Sequence, residues 1–143
     1  MMIPKPIKKK KGILNGLKNK VWKNFSIYIR LRDASDGSGV CFCISCSKPH
    51  HWTDIDAGHY IPIEWTKIWL HEMNVNAQCR YCNFFQKGNI QGYRLGILRK
   101  WGKNTDLILE SQKGKKKLHR WELEALNEVF LKRISQLKKE KGL

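Results

Sequence analysis

Acidic residues are scarce in this chain. Its 143 residues carry 12 Asp and Glu against 28 Lys and Arg, a formal net charge of +16. Charge so one-sided repels itself within a small fold. A polyanion that releases counterions on binding is its simplest explanation, so nucleic acid is the expected partner, ahead of an anionic membrane surface. Long apolar runs are also missing. No stretch approaches the roughly twenty apolar residues that span a bilayer, and no apolar segment of signal-peptide length follows the basic N-terminus. The expectation is a cytoplasmic protein without a membrane partner. The cysteines number five, an odd count that fits poorly with a secreted disulfide framework. With 41% hydrophobic residues and six tryptophans, one modest core is feasible in a single compact domain, and a metal staple would help it.

Three regions follow from the pattern. Residues 1–19 hold Lys5, Lys8, Lys9, Lys10, Lys11 and Lys18 with no acid, and Pro4, Pro6, Gly12 and Gly16 interrupt them; this reads as a flexible basic arm for phosphate contacts. Residues 20–102 open with a helical spacing through Trp22, Phe25, Ile29 and Arg32, which ends in a Ser/Asp/Gly turn. Short strands are expected near residues 40–46 and 54–61. Ile90, Tyr93, Ile97 and Trp101 predict a helix over residues 83–101, closed by Gly102. In residues 103–143 a basic loop with Lys115, Lys116 and Lys117 precedes a long amphipathic helix over residues 118–139, striped by Leu123, Leu126, Phe130, Ile134 and Leu137. That stripe packs on the domain or forms a homodimer interface.

Two Cys-x-x-Cys pairs, Cys43 with Cys46 and Cys79 with Cys82, have the spacing by which one knuckle turn offers zinc two thiolates. Four thiolates leave no open coordination position, so the zinc is expected to be structural. Cys41 offers a third thiol next to the first pair, and His50 and His51 are near enough to substitute; Cys41 is read as a small buried apolar residue. Between the knuckles stands Ile55-Asp56-Ala57-Gly58-His59-Tyr60-Ile61-Pro62, and Asn83 directly follows the last cysteine. An imidazole that activates water, with a carboxylate and an amide to hold a divalent cation, is what one-metal phosphodiester hydrolysis needs.

Asp56-Ala57-Gly58-His59-Tyr60, Asn74-x3-Gln78-Cys79-x2-Cys82-Asn83, Gly88-Asn89 and Tyr93-Arg94 together resemble the NinG/Rap family of lambdoid phage recombination endonucleases. The leading segment from Phe25 to Ala34, followed by the first knuckle, resembles the same family. The resemblance implies an α+β fold: a small zinc-stapled ββα-metal core (HNH-like, treble-clef-like) with flanking N-terminal and long C-terminal helices. It implies Mg2+- or Mn2+-dependent cutting of branched DNA, such as Holliday junctions or D-loops, inside the bacterial host. By this resemblance His59 is the general base, and Asn74 is the central Asn that orients hairpin and base. Asn83 and Asp56 are the cation ligands, although the common ligand position just before the base is here Gly58. His51, Asp54 and Asn89 are substitutes for Asp56. Lys87 and Arg94 are placed to approach the scissile phosphate, and Trp52, Trp65 and Trp69 either fill the core or stack on unpaired bases. A non-catalytic zinc-finger binder of DNA or RNA would explain the charge and cysteines but leave Asp56, His59 and Asn83 without a task.

Overall fold

The computed structural model describes residues 8–143, with side chains from residue 12 onward. Two long helices form its spine: α1, Lys8–Asp33, and α4, Arg120–Lys141. They run parallel. Ile13 and Leu14 adjoin Lys117–Arg120 at one end, and at the other the Lys141 ammonium donates to the carbonyls of Leu31, Arg32 and Ala34. That cation lies where the last carbonyls of α1 lack helical partners, and it complements the negative end of the helix dipole. Midway, the Asn24 amide donates to Asn127 Oδ1 at 2.6 Å. Around this polar pair Val21, Phe25, Tyr28, Ile29, Leu123 and Phe130 make the first core, with the Phe25 and Phe130 rings 4.8 Å apart. Each such side chain contributes about 1.5–3 kcal/mol on burial.

A parallel helix pair needs a long crossover, and the crossover carries the rest of the fold. Strands β1, Val40–Phe42, and β2, Pro49–His51, form one antiparallel hairpin with Cys41 opposite His50. Strands β3, Asp56–His59, and β4, Val75–Gln78, form a second, with Asp56 opposite Gln78 and His59 opposite Val75. A π-helical turn, Tyr81–Phe85, leads to α2, Ile90–Trp101, and α3, Thr105–Ser111. The second core lies here, built from Ile44, Tyr60, Ile61, Ile68, Tyr93, Ile97 and Leu109. Helix α2 lies directly on the first knuckle: a Cβ at Gly92 or Gly96 would strike the carbonyl of Ser45 or Ile44. These two glycines, four apart on one helix face, permit that approach.

The architecture is mixed α and β, as expected, with two small antiparallel sheets. Several boundaries differ. The basic segment is helical from Lys8 rather than a flexible arm; residues 1–7 lie outside the described residues, as do the side chains of Lys8, Lys9, Lys10 and Lys11. Gly12 and Gly16 face open space and each costs the helix about 1 kcal/mol against Ala. Leu14 and Leu17 pack on the α1–α4 core and offset that cost. The expected helix over residues 83–101 begins only at Ile90. Lys87, Gly88 and Asn89 all have left-handed backbone, at φ of 49°, 95° and 39°, because the chain turns there so that the Gly88 N–H reaches the Cys82 carbonyl at 2.8 Å. Part of the expected basic loop is α3, and its acid Asp106 pairs with Arg94 across to α2. Among the described residues, no helix is long and apolar enough to cross a membrane.

Candidate metal centre and adjoining cleft

The four thiols of Cys43, Cys46, Cys79 and Cys82 lie within 4.8 Å of one another. Cys46 and Cys79 Sγ are 3.8 Å apart, the separation expected of two corners of a tetrahedron with Zn–S bonds of about 2.3 Å. The surroundings suit thiolates. The Cys79 N–H points at Cys43 Sγ at 3.3 Å, and the Asn89 amide donates to Cys82 Sγ at 3.4 Å. Such contacts orient ligands and disperse their charge. Burial opposes ionisation of Cys43, yet the backbone donors of Cys79, Cys46 and Ser45 hold its thiol below the ordinary value. The donor set therefore fits a structural zinc. Cys41 stands outside the cluster: its thiol donates to the Arg30 carbonyl at 3.2 Å, and burial pushes its pKa up to about 11. It is the small buried residue the sequence suggests.

Beside this centre opens a cleft of about 790 Å3 whose walls come from three directions. Helix α1 supplies Trp22, Ser26 and Arg30; the β3 segment supplies Asp54, Asp56 and His59; the π-helical turn and the residues flanking it supply Arg80, Asn83 and Lys87. His59 is held on two sides. Its ring stacks on Trp22 with centroids 4.7 Å apart, and its Nε2 lies 2.9 Å from the Trp69 carbonyl oxygen. A carbonyl only accepts, so Nε2 carries the proton, and in the neutral ring Nδ1 keeps the lone pair. Burial pulls the His59 pKa below its usual value, with the Trp69 carbonyl pulling weakly the other way. Burial thus favours the neutral ring, in which Nδ1 is the proton acceptor.

Asp56 and Asn83, expected as cation ligands, are together. The Asn83 amide donates to Asp56 Oδ2 at 3.3 Å, and Arg80 reaches Asp56 Oδ1 at 3.3 Å. The Arg80 side chain is 75% exposed, so this ion pair contributes little to stability. A carboxylate and an amide oxygen beside an open cleft suit a hard cation that keeps several waters. Among the described residues, however, the four cysteines are the one grouping of three or more His, Cys, Asp or Glu ligand atoms. Of the substitutes, Asp54 lines the cleft. His51 Nδ1 is engaged with the Thr53 hydroxyl at 2.7 Å, and Asn89 serves Cys82.

Asn74 is placed elsewhere. Fully buried, its Oδ1 accepts from the Ile61 N–H at 2.7 Å, and its Nδ2 donates to the carbonyls of Ile61 and Ile68 at 3.0 and 3.2 Å. It fastens both ends of the segment before β4, which carries Trp69 and so the carbonyl that orients His59. Its part is positioning, not contact with the cleft. Gly58 is explained by packing, since a Cβ there would overlap Gln78 Oε1 and stand 3.0 Å from Gln78 Cβ and Cδ. Tyr93 is buried, and its hydroxyl donates to the Gly58 carbonyl at 2.6 Å, a core role.

The basic residues divide. Lys87 lines the cleft, whereas Arg94 does not: it is tied to Asp106 at 2.8 Å, because α3 brings an acid to that face. Lys115 lies over the Trp65 ring at 5.6 Å, Lys116 pairs with Glu122 at 3.2 Å, and Lys117 borders a groove between α1 and α4. Trp69 is buried, and Trp52 is flanked by Arg30 and Lys138. Two cleft residues escape the sequence reading, Arg30 and Arg80. Arg30 falls on the polar side of α1, where its guanidinium donates to the Trp52 carbonyl at 3.0 Å. Nothing in the spacing of α1 marks it out. Arg80 could have been flagged, since it stands inside the second knuckle.

A family model described as Bacteriophage Lambda NinG protein matches residues 5–140. The chain is 30% identical over 99 residues to protein ninG of Escherichia phage 933W and to that of Enterobacteria phage VT2-Sa. It is 29% identical over 99 residues to protein ninG of Escherichia phage lambda. Each alignment covers 67% of this chain and 46% of the relative, so the chain spans about half the length of the curated proteins it matches. No solved structure matches. With nearly its whole length matched by the family model, the chain belongs to the NinG family.

Proposed function

We propose that this chain is a metal-dependent DNA endonuclease that cuts branched recombination intermediates, Holliday junctions or D-loops, by attack of a His59-activated water on a phosphodiester. The observation that carries the reading is the state of the His59 ring. With Nε2 committed to the Trp69 carbonyl, Nδ1 is the nitrogen left to accept a proton, and His59 lines the cleft that also holds Asp56 and Asn83. A neutral imidazole there draws the proton from water as the bond to phosphorus forms. Asp56 and Asn83 would hold Mg2+ or Mn2+, which supplies charge stabilisation at the phosphate and the leaving oxygen. Lys87, Arg30 and Arg80 line the same cleft and place fixed positive charge along a phosphate backbone. Arg80, exposed and paired with Asp56 at 3.3 Å, can exchange that partner for a phosphate. The order of β3, β4, π-helical turn and α2, with the second Cys-x-x-Cys pair between hairpin and helix, supports reading the core as a ββα-metal arrangement.

The test is cleavage of a labelled four-way junction and a matched duplex, with Mg2+, Mn2+ or EDTA. Cutting should require the metal and fall by about 10²-fold or more in His59→Ala, with binding retained. Equal activity in that variant removes His59 as the base. An uncut junction under every metal condition turns the assignment to a zinc-stabilised nucleic-acid binder.

A further inference from the structure

The π-helical turn exposes three aromatic rings. Tyr81 is 59% exposed, Phe84 71% and Phe85 67%. The rings touch one another, with Phe84 edge-on to Phe85 at 5.2 Å and Tyr81 stacked on Phe85 at 6.4 Å. Leaving three large aromatics in water forgoes substantial burial free energy, and such patches mark interaction surfaces. The turn is also stiff. It begins two residues after Cys79, contains Cys82, and is braced where the Gln86 amide donates to the Tyr81 hydroxyl at 2.8 Å. It adjoins the cleft, since Asn83 on the turn and Arg80 just before it line the His59 site. Arg80, just before the turn, and Lys87, just after it, supply positive charge at this end of the cleft. A partner for this face therefore offers flat apolar rings and negative charge together. Unpaired nucleobases on a phosphate backbone have both.

We propose that Tyr81, Phe84 and Phe85 form a stacking surface for unpaired nucleobases, which seats the opened segment of a DNA substrate beside the His59 cleft. The inference rests on the reading of the cleft as a nucleic-acid site but not on catalysis. It also moves the base-stacking role from Trp52, Trp65 and Trp69 to rings that the fold leaves free.

The zinc-loaded full chain would be titrated, without Mg2+ or Mn2+, against a duplex carrying a short unpaired gap with 2-aminopurine and against its fully paired counterpart. Wild type should bind the gapped DNA more tightly and change the 2-aminopurine signal. Phe84→Ala/Phe85→Ala should lose about ten-fold or more of affinity for gapped DNA, within the range for removed base–aromatic stacks, and leave duplex affinity within about two-fold. Phe84→Leu/Phe85→Leu keeps apolar bulk without the π-face and should behave like the alanine pair, with zinc content and circular dichroism unchanged. The proposal is overturned if wild type shows no preference for the gap, if the leucine pair keeps that preference, or if both DNAs weaken equally. It is also overturned if the variants change only the sedimentation of the free protein, which would make the patch a contact between copies. A wild type that cuts nothing yet shows the expected binding pattern sinks the nuclease assignment and leaves the stacking surface standing.

Discussion

Replacing Asn74 by Ala isolates what positioning contributes to the cleft. The side chain makes three hydrogen bonds, all to backbone: one from the Ile61 N–H, and one each to the carbonyls of Ile61 and Ile68. Ile61 and Ile68 are 3% and 1% exposed, so water does not readily replace the amide. Each backbone group stranded this way costs about 1–3 kcal/mol, and three of them sum to about 3–6 kcal/mol once partial relaxation is allowed. That is a large share of the stability of a domain this size. Urea unfolding of zinc-loaded protein, followed by tryptophan fluorescence, would read the loss directly. In a variant stabilised enough to remain folded, cleavage should also fall, because the segment holding the Trp69 carbonyl is released and His59 loses its orientation. A loss below about 1 kcal/mol would refute the reasoning, as would full stability with cleavage abolished, since the latter would make Asn74 a direct participant.

Gly58→Asp places a carboxylate immediately before His59, yet it should destabilise the fold and not add a cation ligand, because its Cβ would collide with the Gln78 side chain; a rise in divalent affinity by calorimetry would contradict this. Cys79→Ser should abolish cooperative unfolding and zinc content together, since structural zinc sites contribute on the order of 10 kcal/mol to folding; a folded, zinc-free variant would show the staple to be dispensable. Because burial lowers the His59 pKa, the folded chain resists a proton there that the unfolded chain accepts. Its stability contribution is therefore present above about pH 6.5, the ordinary value, and is lost as pH falls toward the folded pKa. Between pH 7.5 and 5.5 the urea midpoint of wild type should drop more than that of His59→Gln, and parallel decreases would refute it.

The parts legible in the sequence are those whose chemistry is local. Two Cys-x-x-Cys pairs declare their ligand geometry in a spacing of three, and the apolar stripe of Leu123, Leu126 and Phe130 declares a helix face; both are where the pattern places them. The spacing also gathered Asp56, His59 and Asn83 into one reading, and the fold brings them to one cleft. Boundaries were less legible. Gly12 and Gly16 look like breakers until Leu14 and Leu17 meet α4, a contact more than a hundred residues away in sequence. The break before α2 arises from the pull of Asn89 and Gly88 on Cys82, which no periodicity records.

Composition and motif spacing by themselves determined a basic, zinc-suited chain with amphipathic helices, because charge, ligand identity and short-range periodicity are properties of the chain alone; the family came from its resemblance to known sequences. Tertiary structure decided which atoms face which. It placed the Trp69 carbonyl on His59 Nε2, withdrew Arg94 into an ion pair with Asp106, added Arg30 and Arg80 to the cleft, and left Tyr81, Phe84 and Phe85 uncovered. Those outcomes depend on contacts between segments distant in sequence, and their energies arise only once the chain has closed.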